Sequence, residues 1–122
     1  MIFSRKLRLF VPCILILILS CQHEIILPVP STPSGVSYLK DIAPILTQNC
    51  NYSGCHIASN YANIPLETYH DVIFHGQVIA FKPFESNLYD VIARGYMPLG
   101  AVLSAKDQQL IYDWISEGAL DN

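Results

Sequence analysis

The sequence predicts an all-α domain, and three observations lead there. Four segments repeat apolar residues at three- and four-residue spacing, capping residues or glycines bound these segments, and none keeps the period-two alternation of a half-buried strand. The first runs from about Tyr38 to Gln48, with Tyr38, Leu39, Ile42, Ile45 and Leu46 on or near one face. Pro44 conflicts with a helix through this whole stretch, because proline lacks an amide donor and its ring strikes the preceding turn. An extended lead-in, Asp41 as N-cap and Pro44 within the first turn resolve the conflict. A second short helix is expected from about Leu66 to His75, closed by Gly76. A third starts at Ser86 as N-cap and runs through Leu88, Tyr89, Val91 and Ile92 to Gly95. The fourth carries the fullest signature: Ser104 and Asp107 read as a capping box, Leu110, Ile111, Trp114 and Ile115 form an apolar stripe, and Gly118 stops the helix.

The chain of 122 residues divides into three parts. Arg5, Lys6 and Arg8 precede an uncharged apolar run from Leu9 to Leu19, the layout of a signal peptide over residues 1–20. Eleven apolar residues fall short of the ~20 that a spanning helix needs, which sets this reading above a single transmembrane anchor. Residues 21–35 hold prolines, serines, threonine and glycine in the proportions of a flexible tether, and residues 36–122 form the folded domain. Residues 1–20 take away three of the seven Lys/Arg and none of the ten Asp/Glu, leaving four against ten, a net charge of −6. Such an acidic chain is not expected to bind nucleic acid.

The chemistry lies in Cys50-Asn-Tyr-Ser-Gly-Cys55-His56 and, about forty residues later, in Tyr96-Met97-Pro98. Two thiols can add to the vinyl groups of a haem, the adjacent imidazole can bind the iron, and a downstream thioether can take the sixth position. Cysteines usually stand two residues apart in such a motif, about 60° apart around a helix, whereas four intervening residues place them roughly 140° apart. The extra residues must therefore loop out, and Asn51, Ser53 and Gly54 favour such a loop. His70 and His75, five apart, do not form a two-point metal face on a helix; either is an alternative sixth ligand to Met97. Joined with Cys50, Cys55 and His56, one of them would complete a zinc set, the less favoured reading because adjacent cysteine and histidine side chains rarely converge on one small ion.

Ile18-Leu19-Ser20-Cys21 looks like a bacterial lipobox, which implies cleavage before Cys21, lipidation of Cys21 and attachment to a bacterial membrane facing the periplasm or the cell exterior. Cys13 would leave with the signal, and Cys50 and Cys55 would remain as the thiols, with Met97 as the sole methionine. The domain itself resembles the class I c-type cytochromes, and more closely the small planctomycete-type cytochrome c domains of bacterial lipoproteins. The resemblance covers about residues 36 to 120 and rests on Asp41-Ile42-Ala43-Pro44-Ile45-Leu46 before the cysteines, Ser86-Asn87-Leu88-Tyr89, Met97-Pro98, and Trp114-Ile115-Ser116-Glu117-Gly118-Ala119.

The resemblance implies about four helices around one covalent haem c, with Cys50 and Cys55 as thioethers, His56 as proximal and Met97 as distal iron ligand, and Trp114 with its helix packed against the first helix to close the crevice. Lys82, Tyr89, Arg94 and Tyr96 are candidates for the haem surroundings, Arg94 as a partner for a propionate. The function expected is that of a membrane-anchored monohaem electron carrier exchanging electrons with redox protein partners, not an enzyme in itself, though able to serve an oxidoreductase as subunit or domain. No catalytic set accompanies the motif. The alternative is a haem-free, disulfide-stabilised lipoprotein module that binds a partner.

Overall fold

The computed structural model describes residues 35–52, 55–59 and 64–122. The signal, lipidation and tether expectations for residues 1–34, Cys21 included, lie outside them, as do Ser53 and Gly54 of the cysteine loop. The described elements are a π-helical turn Tyr38–Ile42, helix α1 Ala43–Asn49, helix α2 Tyr69–His75, a 3₁₀ turn Pro83–Glu85, helix α3 Asn87–Ala93 and helix α4 Ala105–Ser116. There is no strand among the described residues, so this part of the protein is all-α. None of these helices is long and apolar enough to cross a membrane.

The first helical stretch starts earlier than expected. Ser37, not Asp41, is its N-cap: the Ser37 hydroxyl accepts from the Lys40 amide at 3.3 Å, and the Asp41 carboxylate accepts from the Ser37 amide at 2.8 Å. Pro44 is accommodated by widening the turn ahead of it. The Ile42 amide bonds the Ser37 carbonyl at 3.3 Å, and the Ala43 amide bonds that of Tyr38, five residues back in each case. An interior proline would strike the carbonyl four residues before it, and the wider turn relieves that conflict. Tyr38, Ile42, Ile45 and Leu46 are buried as expected, but Leu39 faces solvent.

Helix α2 is shorter than expected. Thr68 and Asp71 form a reciprocal capping box that starts it at Tyr69, and Leu66 is a buried residue of the extended segment before it. Gly76 ends it with an ordinary helical φ of −72°, and the left-handed residue is Gln77. Space is what requires glycine here, since a Cβ would run into the Val72 carbonyl. Helix α3 follows the Ser86 signal, but the Ser86 hydroxyl does not cap it. That hydroxyl is buried and ties the preceding loop, accepting from the Ile79 amide at 2.8 Å and lying 2.9 Å from the Lys82 carbonyl.

Helix α4 begins at the Ser104 cap, whose oxygen accepts from the Asp107 amide at 3.1 Å. Its inner face buries Ile111, Trp114 and Ile115, with Leu110 half-buried. Trp114 packs against the first turn, 5.6 Å from Tyr38 between ring centroids, while Tyr69 meets both rings edge-on at 5.2 and 6.4 Å. Two of the polar tips have backbone partners: the Trp114 indole donates to the Leu120 carbonyl at 3.0 Å and the Tyr69 hydroxyl to that of Ala119 at 2.8 Å.

The two ends of the domain are clasped beside this cluster. Asn122 receives the Tyr38 amide on its side-chain oxygen at 2.9 Å, and its backbone oxygen receives the Leu39 amide at 3.0 Å and the Ser37 hydroxyl at 2.6 Å. The Glu117 carboxylate accepts from the Val36 amide at 3.1 Å. Phe81 donates its amide to the Ile115 carbonyl at 2.8 Å from a left-handed backbone, φ +66°, a conformation that costs a side-chain-bearing residue roughly 1–2 kcal/mol. Its ring lies over Gly118, where a Cβ would come within 2.8 Å of it.

Two consequences are measurable. Trp114→Ala should destabilise the domain by about 3–5 kcal/mol in urea unfolding, the usual cost of emptying a large aromatic site. The hydroxyl of Tyr38 is pushed up to about 12, first by burial and then by the negative charges of Asp121 and Asp71. A raised pKa in the folded state means that the stabilisation is complete below about pH 10 and is lost as the pH climbs toward 12, up to about 3 kcal/mol in all. Tyr38→Phe should therefore match the parent below pH 10 and lose less stability above it. Parallel curves throughout would show that Tyr38 does not govern the alkaline limb.

Candidate functional site

The cysteine segment is built on the end of α1. Cys50 caps that helix, donating its amide to the Leu46 carbonyl at 2.8 Å, and Asn51 donates to the same oxygen at 3.0 Å. The Cys50 side chain is buried, and burial, followed by the charge of Cys55, pushes its thiol up to about 11. It is thus held protonated at neutral pH and lies within electrostatic reach of Cys55.

Cys55 is exposed. Backbone bonds turn the segment back on itself: the Cys55 amide bonds the Tyr52 carbonyl at 2.8 Å, and the His56 amide bonds the Cys50 carbonyl at 3.1 Å. The second bond returns His56 to the end of α1 despite the longer spacing between the cysteines.

A second strand of chain then fixes the imidazole. His56 Nδ1 lies 2.9 Å from the Ile64 carbonyl oxygen. A carbonyl can only accept, so Nδ1 carries the proton, and Nε2 of the neutral ring presents its lone pair. The same returning segment bonds twice more, the Leu66 amide to the His56 carbonyl at 3.0 Å and the Asn51 side-chain amide to the Leu66 carbonyl at 2.9 Å. Asn51 thus has a role beyond loop formation. Its other side-chain atom, Oδ1, is buried and has no hydrogen-bond partner among the described residues.

Met97 comes from a different element. Gly95, at φ +70°, ends α3 in the left-handed conformation common after a helix, and the amides of Tyr96 and Met97 both bond the Val91 carbonyl, at 2.8 and 3.1 Å. The loop is thereby folded back on α3, with Met97 half-buried and tied to that helix rather than to the cysteine segment. Large apolar side chains stand in solvent on both segments: Tyr52 and Ile64 beside the cysteines and histidine, and Tyr96, Leu99 (80 % exposed) and Val102 (75 % exposed) beside the methionine.

The remaining candidates have other partners. Arg94 Nε lies 2.7 Å from the Asp90 carboxylate one turn earlier on the surface of α3, a bond that raises its pKa. Lys82 pairs with Glu85 at 3.1 Å. Tyr89 is buried, with Phe84 and Tyr112 edge-on to it at 5.8 and 5.5 Å. On α2, His70 stacks on Phe74 at 6.2 Å, and His75 meets the same ring edge-on at 5.0 Å. No group of three or more His, Cys, Asp or Glu side chains suited to a metal ion occurs among the described residues.

The structure therefore bonds the backbone of His56 to that of Cys50, and carries Met97 on a separate loop. Protein-family models, curated proteins and solved structures contain no match to the chain.

The orientation of the imidazole can be checked directly. In the purified haem-free chain, long-range ¹⁵N–¹H correlation spectra should give neutral His56 a protonated Nδ1 and a pyridine-like Nε2. A protonated Nε2 would mean that the Ile64 carbonyl does not set the tautomer.

Proposed function

We propose that this chain is a class I-like monohaem c-type cytochrome, anchored outside the cytoplasm through a lipid on Cys21, that carries electrons between protein partners. The observation that carries the reading is the His56 Nδ1 contact with the Ile64 carbonyl, which leaves the lone pair of Nε2 to bind a metal, on the residue that follows Cys55 in sequence. Histidine ligands in metal sites commonly have the other ring nitrogen held by such an acceptor, which fixes the tautomer and raises the basicity of the ligand atom.

The residues present fit the group. Cys50 and Cys55 would hold a haem through thioethers, His56 and Met97 would bind its iron, and the group would supply reversible one-electron exchange. Tyr52, Ile64, Tyr96, Leu99 and Val102 give the macrocycle apolar side chains to cover, which would account for their exposure. Cys50 is buried at the end of α1 and Cys55 is exposed, so in this reading the two thioethers would lie at different depths. Methionine ligation favours a higher potential than a second histidine would. Iron bound by both His56 and Met97 would leave no vacant position for a substrate, which is why the reading is a carrier and not an enzyme.

The test is expression with export in a host that attaches haem to proteins, followed by an acid-acetone wash and a pyridine haemochrome spectrum. Haem that stays on the chain with the α-band of two thioethers is the expected result. Met97→Ala should abolish the near-red band of sulfur-ligated ferric iron and lower the potential, while Cys55→Ser should move the α-band to the single-thioether position. Haem that washes off would sink the proposal and leave the disulfide-stabilised binding module as the reading to pursue.

A further inference from the structure

Asn51 is a costly residue for the place it occupies. Its backbone amide is tied to the Leu46 carbonyl at the end of α1 at 3.0 Å, and its side-chain Oδ1 is buried without a hydrogen-bond partner among the described residues. A buried acceptor that receives no donor is unfavourable, and a leucine of nearly the same shape would avoid the cost. What asparagine adds is a donor: Nδ2 lies 2.9 Å from the Leu66 carbonyl oxygen.

That bond holds one end of a stiff arm. Leu66 is joined to Ile64 through Pro65, whose ring fixes its own φ and confines the residue before it to extended backbone. With Ile64 and Pro65 both restricted, the arm has few ways to move its far carbonyl while the Leu66 end is held. At the far end the Ile64 carbonyl oxygen lies 2.9 Å from His56 Nδ1, and at the near end the Leu66 amide donates to the His56 carbonyl at 3.0 Å. The Leu66 side chain is itself buried and also anchors the arm. Apolar packing has no preferred direction, however, whereas a hydrogen bond to the carbonyl sets how the Leu66 peptide is turned.

We propose that Asn51 is a positioning residue for His56: by holding the Leu66 carbonyl it directs the Ile64 carbonyl, through Pro65, onto Nδ1 and so keeps the imidazole in the tautomer that leaves Nε2 to bind a metal. The inference rests on the proposed function only for what Nε2 binds. Where the ring proton sits is a property of the chain without haem.

The test uses the purified haem-free full chain at a pH where His56 is neutral. In the parent, a coupling across the hydrogen bond from Asn51 Nδ2 to the Leu66 carbonyl carbon is expected; its absence would overturn the proposal whatever the variants do. Asn51→Leu removes the donor and keeps the shape. With the Trp114 indole resonance in place as a sign of the intact fold, its two His56 ring ¹⁵N shifts should move toward one another as the Nε2-protonated form joins the Nδ1-protonated one. Pro65→Gly, which loosens the arm and leaves Asn51 untouched, should shift them the same way while the Asn51 to Leu66 coupling persists, and it decides the matter if Asn51→Leu does not fold. Ring shifts equal to the parent's in either folded variant would overturn the proposal. A chain that never takes up haem would sink the cytochrome reading and leave these spectra unchanged.

Discussion

Burial of Trp114 against Tyr38 is the constraint on which the arrangement depends. The domain has few long helices, and α4 is the only described one longer than seven residues, so the fold needs one contact that joins the first described element to the last. The indole on α4, the Tyr38 ring on the π-helical turn and the Tyr69 ring on α2 meet in one cluster, which brings three elements distant in sequence to a common point. Once Tyr38 is seated, the direction of the turn and of α1 is set, and α1 ends at Cys50. The placement of a buried thiol therefore follows from aromatic packing at the other end of the same helical stretch.

The cysteine segment shows how a longer loop can return to the helix it left. A regular helix cannot turn both thiols the same way across four intervening residues. The chain instead leaves the helix at Cys50 and closes through the bond from the His56 amide to the Cys50 carbonyl, and the segment from Ile64 to Leu66 braces the return. The brace comes from residues with no distinctive chemistry, because what binds is their backbone carbonyls and amides.

That difference explains what could be read from the sequence. Helix α4 was legible because Ser104, Asp107, the apolar stripe and Gly118 all state the same boundary locally. The Cys50, Cys55 and His56 motif stands out in the sequence because its members are close together, whereas their arrangement in space depends on backbone bonds. The start at Ser37 was not, since spacing of Tyr38, Ile42 and Ile45 fits an α-turn and a π-turn alike and only the clash at Pro44 separates them. The Ile64 carbonyl opposite His56 and the Asn122 clasp were also hidden. Each joins backbone groups to distant residues, and neither leaves a periodic trace. Ser86 misled for a related reason: an N-cap position and a buried loop tie call for the same hydroxyl.

The clasp between Val36, Tyr38 and the segment from Glu117 to Asn122 has an architectural consequence. The start of the described domain is thereby bonded to the segment that follows α4, so these two stretches lie side by side. A domain closed in this way can be spliced into a loop of a larger protein, or strung in tandem, without opening its own core. It has the geometry of a cassette, and its site would travel intact with it.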